Sequence, residues 1–117
     1  MALTKNTNGD GRKFALIHMG TDEVYGLEFV AGEIIKQGHR IRWFDGDIDA
    51  AVDEVINWQA DYMCFSPLTT FFSSALDFSR KVKSRCPDIR SIFGGHHVTA
   101  VPEVSDMDGI DTIVLGP

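Results

Sequence analysis

The sequence predicts an α/β fold in which helices cover both faces of a doubly wound sheet of five parallel strands. The first observation behind this prediction is that short apolar runs alternate with longer amphipathic runs along most of the 117-residue chain. Alternating strands and helices imply right-handed crossovers, which place the strands parallel to one another in a single sheet. The second observation is that 44% of the residues are apolar and 24% are charged, a composition typical of one globular domain.

The first predicted strand and helix follow a polar leader. Residues 1–13 contain an Asn-Gly-Asp-Gly stretch, and we expect them to form a flexible leader. Residues 14–19 are nearly all apolar and are followed by Gly20, as expected of a buried parallel strand. Residues 24–36 place apolar side chains at three- and four-residue spacing, which predicts a helix that ends before Gly38.

The same alternation continues through the middle of the chain. Residues 40–45 and 62–66 are short apolar segments that predict the second and third strands. Residues 51–59 and 71–85 each carry one apolar stripe and predict the second and third helices. The third helix must stop before Pro87, because proline cannot continue a helix.

The last part of the chain predicts two more strands, at residues 89–93 and 111–115, with a short weak helix at residues 102–107 between them. We therefore expect one domain that spans residues 14–117. Five such strands suit the flavodoxin-like (Rossmann-like) strand order, a three-layer α/β/α arrangement. Ligands of this fold bind beyond the carboxyl ends of the strands, at the point where the strand order reverses.

Charge and cysteine content narrow the range of partners and compartments. The formal net charge of -6 argues against nucleic acid or an anionic membrane as a partner, because both require a basic patch. The sequence also lacks an apolar run of about 18 residues, the length needed to span a bilayer. Cys64 and Cys86 stand far apart without metal-type spacing, which fits two free thiols in a reducing cytoplasm.

Several apolar or aromatic positions are expected in the core. Strand residues expected there are His18, Met19, Cys64 and Phe93. Trp43 and Trp58 are expected to lie in the core or to cover the sheet. Functional residues are therefore expected in the loops rather than in the strands.

The loops after the first, third, fourth and fifth strands are the candidate functional segments. Glycines and hydroxyl side chains dominate them, so the backbone can approach a ligand closely and the hydroxyls can donate or accept hydrogen bonds. This composition suits binding more than proton transfer, and we predict neither a catalytic residue nor a metal site. The dinucleotide pattern G-x-G-x-x-G is absent after the first strand, and no aspartate ends the third strand as it would in a phosphate-accepting receiver domain.

Two loop motifs resemble those of a known family. Residues 94–103 have the pattern G-G-x-H-x-T-x-x-P-E directly after a predicted strand, and residues 66–68 have the pattern S-x-L. Together they resemble the cobalamin-binding domain found ahead of many radical S-adenosylmethionine enzymes. Residues 110–116 resemble the last strand of that family, and the resemblance covers residues 14–117.

The resemblance implies bound cobalamin, with its nucleotide tail between the loops after the third and fourth strands and Ser66 hydrogen-bonded to the benzimidazole end. Methionine synthase-like domains carry D-x-H-x-x-G after the first strand, and its histidine ligates cobalt from below. Glu23 stands at that position here, and a carboxylate oxygen is a poorer match for cobalt than an imidazole nitrogen. We therefore expect base-off cobalamin without a histidine lower ligand. The implied cofactor-binding residues are Gly20, Thr21, Glu23, Tyr25, Gly26, Ser66, Leu68, Thr69, Thr70, Gly94, Gly95, His97 and Thr99.

The resemblance also implies a second domain. In these enzymes the radical is made by a separate barrel that holds a 4Fe-4S cluster and S-adenosylmethionine through a C-x-x-x-C-x-x-C motif. This chain has no such motif. We expect it to be the amino-terminal module of a longer radical enzyme of methyltransferase or cyclase type, with the barrel in cis, and not to be catalytic alone.

Two other functions remain open from the residues. The first is a docking or regulatory domain of the same fold without cobalamin, which the glutamate at position 23 favours. The second is a flavodoxin-like enzyme acting on a small molecule, with Glu23 or His97 as acid or base. No paired catalytic groups converge at recognisable spacing, which weighs against this enzyme.

Overall fold

The computed structural model describes residues 11–19, 25–66, 71–94 and 109–113, and at positions 25, 26 and 29 it describes the backbone alone. The elements in chain order are β1 (Lys13–His18), α1 (Tyr25–Lys36), β2 (Arg40–Asp45), α2 (Ala50–Trp58), β3 (Tyr62–Phe65), α3 (Phe72–Arg85), β4 (Arg90–Phe93) and β5 (Thr112–Ile113). Strands and helices therefore alternate from β1 to β4, as the sequence predicts.

The described strands form one parallel sheet in the order β2-β1-β3-β4-β5. In its central register Leu16 pairs with Cys64, and Cys64 pairs with Ile92. The chain goes from β1 to β2 on one side and then crosses to β3 on the other, so the strand order reverses between β1 and β3. This is the flavodoxin-like order, and the predicted fold class is confirmed.

Alternate residues of β1 divide the core into two clusters, one on each face of the sheet. Ala15 and Ile17 belong to the cluster that includes residues of α2 and α3. Phe14 and Leu16 belong to the cluster that includes residues of α1. All four are at most 1% exposed, so both faces of this central strand are covered.

Aromatic packing fixes the carboxyl ends of β3 and β4 relative to each other. The rings of Phe65 and Phe93 stack with their centroids 4.5 Å apart. Phe65 also contacts Phe78 of α3 edge-on, and Phe93 contacts Phe72 of α3 in the same way, with centroid distances of 5.9 and 5.8 Å. Burial of one such side chain contributes about 1.5–3 kcal/mol. The residues that follow these two strands therefore start from a rigid base.

The helices end where the local sequence requires. Gly38 follows α1 with a φ of +85°, a conformation that glycine adopts without steric cost. Gln59 ends α2 with a left-handed φ of 60°, and its N–H bonds to the last carbonyls of the helix. The N–H of Cys86 donates to the carbonyl of Val82 at 2.8 Å, which closes α3 just before Pro87.

The start of β1 corrects the predicted length of the leader. Lys13 belongs to the strand, and its N–H donates to Asp61 Oδ2 at 2.8 Å. The N–H of Arg12 donates to His39 Nδ1 at 3.0 Å. The boundary predicted after residue 13 is therefore at least two residues too late, while residues 1–10 lie outside the described part.

The other boundaries agree with prediction to within one or two residues wherever the structure describes them. The bounds of β2 are those predicted, and both ends of α2 lie one residue before the predicted ones. The predicted helix at residues 102–107 and the predicted strand end at residues 114–115 lie outside the described residues.

One core prediction, that of His18, is wrong, and of the two alternatives for Trp43 the core is excluded. Trp43 is 41% exposed because it lies on β2, which pairs only with β1 among the described strands. His18 is half-buried because β1 ends there, at the carboxyl edge of the sheet. Trp58 is half-buried and packs against Phe44 with ring centroids 6.0 Å apart. The confirmed core positions are Met19, Cys64 and Phe93.

A set of side-chain hydrogen bonds, here called the β5 anchor, comprises Ser79, Lys83, Ser91, Gly109 and Asp111. Both serine hydroxyls donate to the carbonyl of Gly109, each at 2.6 Å. Asp111 Oδ2 accepts from the N–H of Ser91 at 2.8 Å and from Lys83 Nζ at 2.6 Å. The N–H of Asp111 donates to Ser91 Oγ at 3.0 Å. These bonds fix the chain as it enters β5.

Within the described ranges, no helix is both long enough and apolar enough to cross a membrane. Cys64 and Cys86 are free, as predicted, and Cys64 is buried in the cluster next to α1.

Candidate functional site

The candidate site lies at the carboxyl edge of the sheet, on the face covered by α1. Ile17 pairs with Phe65, and Phe65 pairs with Phe93, so the next residues along these strands also lie side by side. The N–H of Gly94 donates to the carbonyl of Phe65 at 2.8 Å, so the ladder continues past β4. We call the resulting set the edge row: His18, Ser66 and Gly94.

The two-residue alternation of a strand assigns the edge row to one face. His18 stands two residues beyond Leu16, Ser66 two beyond Cys64, and Gly94 two beyond Ile92. Leu16, Cys64 and Ile92 belong to the cluster next to α1. The edge row therefore lies above them on the α1 face, and all three of its members are half-buried.

Leu16, Cys64 and Ile92 form what we call the apolar floor of the site. Their exposed fractions are 0%, 4% and 7%, in that order. Burial raises the pKa of the Cys64 thiol to about 12, so the thiol is neutral near pH 7. The floor is therefore uncharged, and its side chains are packed into the core on the α1 face beneath the edge row.

The edge row places a polar group above this apolar floor. Ser66 supplies a hydroxyl that can donate and accept, and Gly94, the next residue of the row, carries no side chain. Neighbouring parallel strands are about 4.8 Å apart, so both residues can contact one ligand of ring size. An aromatic base with a polar edge fits this arrangement, and the benzimidazole end of cobalamin is such a base.

Of the predicted site residues, the structure brings Ser66 and Gly94 together, and it assigns two others to the start of α1. Tyr25 and Gly26 belong to the first turn of α1, where the backbone alone is described. The predicted residues that lie outside the described part are Gly20, Thr21, Glu23, Leu68, Thr69, Thr70, Gly95, His97 and Thr99.

His18 is a residue of this edge that we did not predict as part of the site. The sequence analysis placed it in the core because it follows four apolar residues. Its place at the carboxyl end of β1, two residues beyond Leu16, follows from the strand length and register rather than from the apolar pattern of the sequence.

A concavity lies across the sheet from the edge row. It has a volume of about 210 Å³ and lies between the loop after β2 and α3, with Asp49, Asp77 and Lys81 in its wall. A hydrogen bond and ion pair with Asp77 raise the pKa of Lys81. The lysine is thus already paired, and no function is assigned to this concavity.

The fold and the edge row together define a parallel α/β domain whose edge row lies at the switch between β1 and β3, the place where ligands of this fold bind. The chain belongs to the B12-binding family, because the sequence model of that family, described as B12 binding domain, matches residues 20–117.

Two similar proteins extend this assignment. The chain is 32% identical over 83 residues to the hopanoid C-3 methylase of Methylococcus capsulatus (strain Bath), a match that covers 68% of this chain and 16% of the methylase. It also resembles the crystal structure of a cobalamin-binding protein from Desulfitobacterium hafniense DCB-2, with a TM-score of 0.75 and 19% identity. That match covers 88% of this chain and 52% of the other, and it independently supports the fold.

Proposed function

We propose that this chain is a cobalamin-binding module that holds the cofactor base-off, with the nucleotide tail beside the sheet between the loops after β3 and β4. The observation that carries the proposal is the adjacency of Ser66 and Gly94 above the apolar floor, in a chain of the B12-binding family. An uncharged floor with a hydroxyl at its upper edge matches a neutral aromatic base with hydrogen-bonding nitrogen.

In this proposal, each of the described residues at the site has a different role in holding the nucleotide tail. Ser66 hydrogen-bonds the benzimidazole end, and Gly94 leaves space that a side chain would fill. The floor closes the inner end of the proposed opening, so that water does not reach the ring from the core side. Further residues proposed from the family resemblance to line the same opening are Leu68, Thr69, Thr70, Gly95, His97 and Thr99.

The base-off state is proposed from the sequence of the loop after β1. Glu23 occupies the position of the ligating histidine in methionine synthase-like domains, and its oxygen is a poor ligand for cobalt. Gly20, Thr21, Tyr25 and Gly26 are proposed to shape the cofactor's lower face. When bound, cobalamin supplies a cobalt centre that can carry a methyl group, and the chain's own task is to orient it.

We further propose that residues 14–117 act with a radical S-adenosylmethionine barrel in cis, which would hold the 4Fe-4S cluster and S-adenosylmethionine. The similarity to a hopanoid C-3 methylase supports methyl transfer as the chemistry of the whole protein. The chain spans about one sixth of that relative, so most of such an enzyme would lie in other domains. Two free thiols support a cytoplasmic location.

The test is a titration of the 117-residue chain with hydroxocobalamin and with methylcobalamin, followed by absorbance and calorimetry. We expect saturable binding and a base-off spectrum. Ser66→Leu should weaken binding at least about tenfold, because it replaces the hydroxyl with bulk at the tail opening. Ser73→Leu, on an exposed position of α3, is the matched control and should bind like the wild type.

Failure of the wild-type chain to bind either cobalamin would reject this proposal. It would favour the docking or regulatory domain without a cofactor. Binding that Ser66→Leu leaves unchanged would instead reject the proposed place of the tail.

A further inference from the structure

We propose that the imidazole of His18 hydrogen-bonds the nucleotide tail of cobalamin at its phosphodiester, and that it thereby selects the complete cofactor over forms without a tail. This inference rests on the function proposed above and adds a residue to the same site. It starts from the edge row, in which His18 is the neighbour of Ser66.

The position of His18 is fixed by the backbone on both sides. Within β1 it pairs with Asp45 of β2, and its carbonyl accepts the N–H of Gly46 at 2.8 Å. Towards β3 the continued register makes Ser66 its neighbour. The histidine therefore stands at the switch between β1 and β3, where ligands of this fold bind.

The side chain of His18 has no hydrogen-bond partner among the residues that the structure describes. Because His18 is half-buried, its imidazole loses part of its hydration on folding, and no hydrogen bond from a described residue compensates for this loss. The other histidine whose side chain is described, His39, accepts a bond from Arg12 at 3.0 Å. As far as the described residues go, the imidazole of His18 is thus available to a ligand on the α1 face.

The carboxylate of Asp45, which pairs with His18 across the sheet, already accepts a hydrogen bond within the turn after β2. Asp45 Oδ1 accepts the N–H of Asp47 at 3.0 Å and so caps the loop after β2. Ser66 and Gly94 lie on the other side of His18, towards the proposed tail. The side of the imidazole that faces Ser66 is therefore the side that a bound tail would meet.

The chemistry of the tail selects its phosphodiester as the partner of His18. The aromatic base suits the apolar floor, and the hydroxyl of Ser66 suits the nitrogen of that base. The phosphodiester is the anionic part of the tail, and an imidazole N–H donates well to an anionic oxygen. No positively charged side chain belongs to the edge row, so His18 is the strongest donor in it.

The experiment compares binding of cobalamin with binding of cobinamide, which has the corrin ring but lacks the nucleotide tail. The 117-residue chain is titrated as wild type, His18→Leu and His18→Gln, with calorimetry and absorbance as readouts. We expect His18→Leu to weaken cobalamin binding at least about tenfold, the usual scale of a bond to a charged group. Cobinamide binding should be unchanged, and His18→Gln should restore part of the loss through its amide N–H.

Ile48→Gln is the matched control, because Ile48 is 52% exposed in the loop after β2 and lines the concavity on the other face. It should bind both corrinoids like the wild type. Thermal unfolding without ligand shows whether each variant is folded.

The outcomes separate this inference from the proposed function. If the wild type binds cobalamin and His18→Leu binds it equally well, the inference is wrong and the proposed function stands. Equal losses for cobalamin and cobinamide would assign His18 to the corrin or to cobalt and would overturn the tail assignment. A wild type that binds neither corrinoid rejects both proposals.

Discussion

Lys83 Nζ donates a hydrogen bond to Asp111 Oδ2 at 2.6 Å, which joins the last turn of α3 to the residue that precedes β5. The two side chains are 20% and 23% exposed, so this ion pair is shielded more than a surface pair. The described part of β5 has two residues, and few ladder bonds hold it to β4. Side-chain bonds therefore determine much of how firmly this strand is docked.

Asp111→Ala should lower the free energy of unfolding by about 1.5–3 kcal/mol near pH 7, the range for losing hydrogen bonds to a charged group. Urea unfolding followed by fluorescence measures the change. Asp88→Ala, at an exposed position, is the control and should change stability by less than about 0.5 kcal/mol. Equal effects of the two substitutions would show that the β5 anchor contributes no stability.

The contribution of Asp111 should also depend on pH. Partial burial opposes its ionisation, but hydrogen bonds from Lys83 and from the N–H of Ser91 outweigh burial and lower the pKa of this carboxyl. As pH falls, Asp111 is therefore protonated at a higher pH in the unfolded chain than in the folded one. Stabilisation should be complete above the ordinary pKa of 3.8 and be lost as pH falls through the lower folded value. The difference between wild type and Asp111→Ala should shrink over that range.

The two serines of the β5 anchor should be energetically coupled. Each hydroxyl donates to the carbonyl of Gly109 at 2.6 Å, so either one alone still satisfies that buried oxygen. Ser79→Ala and Ser91→Ala should each cost about 1 kcal/mol. The double variant should cost at least about 0.5 kcal/mol more than the sum, because the carbonyl then loses both donors. A strictly additive cycle would mean that the carbonyl finds another partner.

The two free thiols should react at very different rates. Burial raises the pKa of Cys64 to about 12, whereas Cys86 is half-buried at the end of α3. A thiol reagent at pH 7–8 should modify Cys86 quickly and Cys64 only on unfolding, since the thiolate is the reactive form. Cys86→Ser should abolish the fast phase and Cys64→Ser should keep it. A fast phase that survives in Cys86→Ser would show that the apolar floor opens readily.

Glu23→His tests the proposed absence of a histidine below cobalt. If the loop after β1 has the geometry of methionine synthase-like domains, the new imidazole should ligate cobalt and shift the absorbance spectrum of bound cobalamin. Glu33→His, at an exposed position of α1, is the control and should leave the spectrum unchanged. An unchanged spectrum in both variants would mean that loop geometry, rather than residue identity, excludes the ligand.

The sequence predicts the elements well because each is marked by local signals. The bounds of β2 agree with prediction, and α1 ends before Gly38. The sequence left the exposure of Trp43 open, because that exposure depends on the position of β2 at the edge of the described sheet. Strand order is set by contacts between distant segments, and a single strand's composition does not record it.

Part of the candidate site could be predicted from the sequence. Ser66 and Gly94 could be placed together once the flavodoxin-like order was adopted, because that order makes β3 and β4 neighbours. His18 was missed because a buried parallel strand is apolar on both faces, so its pattern does not show which residue emerges at the edge. Register and strand length supply that information.

The division of the core between the two faces of the sheet has a consequence for how a ligand would affect local unfolding. One described cluster joins the sheet to α2 and α3, and the other joins it to α1. The proposed tail site lies on the α1 face. A cofactor bound there would stabilise the folded form of that face, so amide hydrogens of α1 should exchange more slowly in the complex than in the free chain, and those of α3 should change less.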